Sequence, residues 1–578
     1  MTVIIPLRIV VGYIRFMLPE LTQTQLAELK NTSNAKQIAS LLQRFSGLDL
    51  KNSTVIKNYH DALLYYSAFP PTNTIYLQAG KELVRLASIV KNITHSAKKQ
   101  ALYGSGIAHT SICCAFSSCL CDWLVHRFPG AVQFHSSGAG SETAKNVMQA
   151  LLPGIEFEKS AYDEPGLAFR LKKVSGIQEP GEQLKWLLKL FAENKWLPLV
   201  KEELYRQLDV FVQWQINDAE FNRGALRWPT NHVFCSEEKL KNFNCLSVLQ
   251  EKPGKPISLS AKEKSRLMDT MKASLAFYCR ETDPFTYAHP EELLLFDTGR
   301  GVQIALAGMV KEKRLSLETY IGYMAFKNGM PVAYGGGWLW GNQCKIGINI
   351  YPPFRSGESA WIFCQVMRVY HQYFNIDRFI VKPYQFGKGN TEGLKSGASW
   401  FYYKIGFRPV QPEIRLLADG EWAKIKSGKN YRTPLSVMRR FTRCNMEWVV
   451  NPGASVFPDA EQVSAAVSAM INKVYNASRQ QAINTCMEQM GKSVLFAPVY
   501  TGNNHELRVI ENWGLLSGLL NHLSGWTKTQ KRTLIKIIRL KQSGGERAFL
   551  LHLQRHKKLW QSLAEQLNGT GRKNHKPG

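Results

Sequence analysis

The chain reads as an α+β protein, a central mixed sheet flanked by largely helical N- and C-terminal regions. Three observations predict this. Residues 320–409 run strand, turn, strand, strand, loop, helix, strand, helix, punctuated by glycine. Outside that stretch, Leu, Ile and Val recur at three- and four-residue steps over 25–45 and 79–90, and amphipathic runs return over 181–222. Finally, 578 residues exceed what one core supports, so about three domains are expected. We place them at 1–255 (mostly helical α+β), 275–418 (the central sheet) and 419–578 (basic and helical).

The opening run TVIIPLRIVVGYIRFM is apolar, but it carries Arg8 and Arg15 and is too short to span a bilayer. It also lacks a small-residue cleavage site, so it reads as core strand or helix. Pro70-Pro71 separates the first helical runs. Residues 112–128 form an apolar helix candidate. Short strands are predicted at 131–135, 155–159 and 167–171, with Ser141 capping a helix that runs to Leu152. The run EKPGKPIS at 251–258 marks a boundary or exposed loop.

In the central unit, residues 320–326 and 331–340 are aromatic and β-rich, and Lys327-Asn328-Gly329 joins them as a hairpin. Three glycines at 335–337 imply a bulge or a close backbone approach. Residues 344–351 make a third strand, stopped by Pro352-Pro353. Arg355-Ser356-Gly357 then opens a helix whose apolar face holds Ala360, Phe363, Cys364, Met367, Tyr370, His371 and Phe374. A strand that feeds a loop and a helix N-terminus presents free N–H groups and the positive end of the helix dipole. That arrangement suits a phosphate or pyrophosphate. A short β-type run, RFIV, follows, and the unit closes on ASWFYYKIGFRP.

Over roughly residues 285–415 this unit resembles the GNAT superfamily of N-acetyltransferases. Its FRSGESA, PYQFG and SGASWFYYKIGFRP runs also resemble those of a subfamily of long bacterial proteins. In the superfamily the fourth strand is splayed, and the loop after it, Arg/Gln-x-x-Gly-x-Gly/Ala, cradles the pyrophosphate of coenzyme A. Arg355 and Ala360 match that pattern, whereas Glu358 stands at a glycine position. A carboxylate there repels a pyrophosphate unless it points away, and Gly357, one position early, shifts the register. The resemblance implies that Asn349, Ile350, Arg355, Ser356, Gly357, Ser359 and Ala360 hold the donor. The superfamily's closing Ala-x-x-x-Tyr-x-x-x-Gly-Phe is reproduced by Ala398, Tyr402, Gly406 and Phe407. The tyrosine is the frequent general acid for the leaving thiolate, so Tyr402 inherits that role, which its phenol can perform because its pKa lies near a thiol's. The superfamily's asparagine is replaced by Lys395, and Asn390 lies five residues further upstream, in the loop PYQFGKGNTEGLKSG, read as a lid or a long connection.

The resemblance therefore implies an N-acyltransferase that moves an acyl group from acyl-CoA or an acyl carrier protein thioester to an amine. An amine must lose a proton, and Glu358, Glu318, Glu392 and His289 are the candidate bases, with Tyr402 and Glu358 taken as the catalytic residues. Two alternatives stay open: an aminoacyl-tRNA-dependent transferase, and a non-catalytic protein that binds nucleic acid or a partner on the same scaffold.

The remaining signals concern charge and cysteine. Lys and Arg number 73 against 45 Asp and Glu, a net +28. Thirteen Lys/Arg and two Glu fall between Lys528 and Gly578, on basic helices expected at 528–540 and 547–567. Such a field attracts polyanions: tRNA or other nucleic acid, an acidic carrier protein, or an anionic membrane face. We assign the partner surface to residues 528–558. An Asp459/Gln462 capping box starts a helix expected to end near Gly491, and the terminal NGTGRKNHKPG is expected to be disordered. The eleven cysteines lack paired secretory spacing, which suits reduced thiols in a cytoplasmic protein. Cys113, Cys114, Cys119 and Cys121, near His109 and His126, lack zinc spacing and read as buried small hydrophobes, so no metal is predicted.

Overall fold

A computed structural model describes residues 19–160, 166–240, 242–428, 430–453, 457–494, 504–520 and 523–571. The opening apolar run and the end of the terminal tail lie outside these residues. The fold is mixed α+β, with two sheets and many helices.

Helices α1 (Gln23–Asn31), α2 (Ala35–Ser46), α3 (Ser53–Ala68) and α4 (Asn73–Lys91) come first. The single apolar run of 25–45 is two helices, because Asn34 accepts from the Gln37 amide and starts a new one. Pro70 and Pro71 separate α3 from α4 as expected. The buried face of this layer (Phe45, Tyr59, Leu63) shares one continuous apolar core with the large sheet and its central helix.

The small sheet has the order β1-β3-β2, all antiparallel: β1 (Ser111–Ala115), β2 (Val132–Ser137) and β3 (Val210–Gln215). Two expected elements are corrected here. Residues 112–128 are a strand and then the helix Ser118–Arg127, because Ser117 caps that helix by accepting from Leu120 N–H. The end of the 181–222 run is β3, whose alternating burial places Val210, Val212 and Trp214 inward. Residues 155–159 and 167–171, expected as strands, are helical (Gly154–Phe157, Leu167–Ser175), and Leu167, Leu171 and Val174 face the core of this region. Gly140 rather than Ser141 is the N-cap of the helix Ser141–Leu151. Segment 251–258 links the helix Cys245–Gln250 to Ala261–Ala276.

The large sheet comprises β4 (Ala288–Asp297), β5 (Val302–Met309), β6 (Thr319–Lys327), β7 (Met330–Trp340), β8 (Gln343–Ile346), β9 (Asn349–Ile350), β10 (Arg378–Val381), β11 (Arg408–Pro409) and β12 (Met446–Val449). Its order is β11-β12-β10-β8-β7-β6-β5-β4, with β9 paired to β7. Asn328 (φ 49°) and Gly329 (φ 77°) turn the β6–β7 hairpin, the positive-φ pair that the right-handed twist of a hairpin favours. The glycines at 335–337 are close-approach positions rather than a bulge. A Cβ on Gly336 would meet the Tyr320 ring at 2.4 Å, and one on Gly337 would meet Tyr370 at 2.6 Å. The register shift of this hairpin falls instead between Ala325 and Phe326. The helix Ser359–Phe374 lies on the sheet, and its Tyr370 hydroxyl donates to Ile321 O at 2.7 Å.

Strand β12 departs from the expectation of a purely helical tail. It inserts antiparallel between β10 and β11. The helix expected from Asp459 does start on its capping box, but it ends at Val474, and a second helix spans Arg479–Val494. The C-terminal helices have their own apolar core around Trp513, Phe549 and Trp560. They join the sheet through Trp340, whose ring meets Trp560 at 5.1 Å, through the buried Arg314–Glu546 ion pair (3.7 Å), and through Lys541 Nζ, which donates to Glu318 O at 3.0 Å.

Cys114 is disulfide-bonded to Cys279 and Cys245 to Cys364, so four of the cysteines are not the free thiols that the scattered spacing predicts. Cys113 is exposed and Cys119 half-buried, against the reading of all four as buried hydrophobes. Among the described residues, no helix is long and apolar enough to cross a membrane.

Candidate functional site

Strands β8 and β10 are parallel, but they stay in register only from Gln343 to Lys345, opposite Arg378 to Ile380. Beyond Gly347 and Ile348 the chain resumes as β9, which pairs with β7 alone (Tyr334↔Asn349, Ala333↔Ile350). On the other side, β10 leaves the sheet at Val381 and enters the 3-10 turn Pro383–Phe386. The two strands therefore diverge at Gly347-Ile348, leaving a fork inside the sheet.

Tyr402, on the helix Ala398–Ile405, sits at that fork. Its hydroxyl faces the Ile348 backbone, and its side chain is 2% exposed. Phe363, Phe386, Phe401 and Phe407 surround it, with ring centroids 5.8, 6.5, 5.2 and 5.7 Å away. Burial pushes its pKa well above that of an ordinary phenol, so Tyr402 keeps its proton at neutral pH. Tyr323 donates its hydroxyl proton to Gly347 O at 2.6 Å. The Gln385 amide covers the same glycine, where a Cβ would meet Gln385 Cδ at 2.4 Å. The PYQFG run thus places Gln385 and Phe386 against the fork. Asn390 serves locally, capping the helix Thr391–Lys395 by accepting from Gly393 N–H.

The chain leaves β9 through the 3-10 turn Pro352–Phe354 and reaches the Ser359–Phe374 helix at Glu358, its N-cap, with no side-chain cap bond. Asn349 is exposed and Ile350 half-buried. Arg355 reaches outward to Glu392 at 2.7 Å, Ser356 O accepts from Lys239 Nζ at 3.0 Å, and the Phe69 ring lies on Gly357, 2.5 Å from where a Cβ would stand. Ser359 and Ala360 are half-buried in the first turn of the helix.

Glu358 has no partner in common with Tyr402. Its buried carboxylate accepts from Leu240 N–H (2.9 Å), Arg300 Nη2 (3.0 Å) and Lys327 Nζ (3.1 Å). Burial opposes its ionisation, yet Lys327, the Leu240 amide and Arg300 outweigh that and hold its pKa below the usual carboxylate range. Lys327 is 2% exposed, and burial lowers its pKa against the pull of Glu358. Glu358 and Lys327 line a cavity of about 490 Å³ between α1–α3 and the Pro352–Glu358 loop, whose walls include Tyr65, Phe69, Phe234 and Lys239.

The other candidate bases lie elsewhere. Glu318 pairs with Lys345 (3.1 Å), the third of the four residues of β8, and Glu392 pairs with Arg355. His289 is on β4, the far edge of the sheet, and accepts from Glu291 N–H. Sequence reasoning missed Tyr323, Gln385, Arg300 and Lys327. The first two sit in runs whose spacing marks only a strand and a loop, and the pairing of the last two with Glu358 has no signal in sequence spacing. Among the described residues, no group of three or more His, Cys, Asp or Glu is placed to hold a metal ion. Comparisons with family models, curated proteins and solved structures give no match.

Proposed function

We propose that the chain is a GNAT-type N-acyltransferase, with the β8/β9–β10 fork as its donor site. The observation that carries this reading is the divergence of two parallel strands at Gly347-Ile348 with the Tyr402 hydroxyl on the Ile348 backbone. Two diverging strands open a gap in the sheet where an acyl thioester can lie, beside a protonated phenol and with the Gly347 carbonyl already held by Tyr323.

In this reaction the amine lone pair attacks the thioester carbonyl carbon, a C–N bond forms, and the C–S bond breaks. The leaving thiolate takes the Tyr402 proton, the amine's surplus proton passes to water, and the phenolate recovers a proton from solvent. Arg355 and the first-turn amides of Ser359 and Ala360 would hold the donor's phosphates. Glu358 does not oppose them, because Lys327 and Arg300 neutralise it. It acts as a brace for the loop rather than as a base. Gln385 covers Gly347, so PYQFG moves aside as a lid when the donor enters.

The test is calorimetric titration with acyl-CoA donors from acetyl to palmitoyl, alongside an acyl carrier protein thioester. One saturable site for at least one donor supports the proposal, and silence across the whole series defeats it. The aminoacyl-tRNA-dependent alternative is favoured by one observation, the Phe69 ring on Gly357, which narrows a phosphate cradle. Transfer from aminoacyl-tRNA with no response to any acyl-CoA would select it.

A further inference from the structure

The helix Lys528–Ser543 buries Leu534, Ile537, Ile538 and Lys541 against the C-terminal core. Its other face carries Lys528, Arg532 and Lys536, all exposed. Each stands four residues after the last, so the charges climb one side of the helix in steps of about 6 Å. His556 Nε2 lies 2.9 Å from Gln530 O, and the His556 ring meets Trp526 at 5.3 Å. These contacts bring exposed Arg555 and Lys557 alongside the first turns of the same helix. Among the described residues, none of these five cations has a carboxylate partner at ion-pair distance. Between Lys528 and Trp560 the sequence has one acidic residue, Glu546, which is 1% exposed and engaged by Lys541. The cations therefore form a single-sign surface with no internal counter-charge.

We propose that this face binds the phosphodiester backbone of a nucleic acid. Charge alone would also attract an anionic membrane surface, whereas an acidic protein partner or an inserting helix needs exposed apolar side chains as well, as an interface core or as an inserting face. No large hydrophobic residue is exposed among the described residues from 475 to 567. A rigid row of cations without an apolar centre fits phosphate contacts, which supply affinity independent of sequence. The inference does not depend on acyl transfer.

The experiment is fluorescence anisotropy with a labelled DNA duplex of about 20 base pairs, titrated with the full-length chain at several salt concentrations. The log of affinity falls against log salt by about 0.9 per phosphate contact. The variant Lys528→Gln/Arg532→Gln/Lys536→Gln should flatten that slope by about 2.7 and weaken binding at 0.1 M salt by roughly 10²-fold or more. All three residues are exposed, so the fold survives, which circular dichroism verifies. Lys185→Gln/Lys189→Gln, on the helix Pro180–Glu193, should change neither quantity. A flat salt response, unchanged binding by the triple variant, or an equal loss in the Lys185/Lys189 variant overturns the proposal. Binding of polyglutamate or of phosphatidylserine vesicles instead of the duplex also overturns it.

Discussion

The fork at Ile348 and the helix start at Glu358 lie one loop apart, yet they handle burial in opposite ways. At the fork a neutral phenol is packed among four phenylalanine rings, and burial keeps its proton in place. At the helix start a carboxylate is buried in its charged form, because two cations and an amide outweigh the loss of water. Burial raises the pKa of an acid only where no compensating charge is buried with it. The comparison separates the two residues that the sequence groups as catalytic: Tyr402 is a buried neutral phenol, whereas Glu358 is a buried carboxylate whose charge is held by Lys327, Arg300 and the Leu240 amide.

That contrast can be broken most sharply at Glu358. Glu358→Ala leaves Lys327 and Arg300 without their carboxylate and should destabilise the protein by about 3–5 kcal/mol, measured by urea denaturation. Glu358→Leu combined with Lys327→Met should recover much of that loss, and additive losses would show that the pair is not coupled. Tyr402→Phe should lower single-turnover acyl transfer by roughly 10²-fold or more, with little change in donor affinity. Its effect on stability should be no more than about 1 kcal/mol, the value of one hydrogen bond. Gln385→Ala uncovers Gly347 and should tighten donor binding by roughly two- to five-fold in calorimetry, because less of the lid has to be displaced.

A pH series sharpens the same contrast. The folded pKa of Glu358 lies below the unfolded value near 4.5, so its stabilisation is present above that pH and is lost as pH falls through the folded pKa. The stability gap between the parent chain and Glu358→Gln should therefore shrink below about pH 4.5. A gap that is constant from pH 7 to pH 3 would show that the carboxylate's charge is not what it contributes.

The central unit was legible because its signals are local. The Asn-Gly turn, the apolar face of the Ser359–Phe374 helix and the Ala398–Phe407 run each sit within a few residues. What stayed hidden depends on distant chain. Strand β12 is four residues long, lies beyond two helices, and is recognisable only from the slot it fills between β10 and β11. The apolar run at 112–128 carries no periodicity that separates a strand and helix from one helix. The clamp on Glu358 draws on Leu240, Arg300 and Lys327, three segments with no shared pattern. Gln385 was visible as part of a polar loop, but its position on Gly347 was not.

Hydrogen–deuterium exchange with and without acetyl-CoA tests the donor site most directly, because it reports where the donor lands. Amides of residues 347–350 and of the Ser359–Phe374 helix start should become protected, while the Pro383–Phe386 turn should exchange faster as the lid shifts. Protection confined to other parts of the chain, or an unchanged exchange pattern at saturating donor, would contradict the fork as the acyl-donor site.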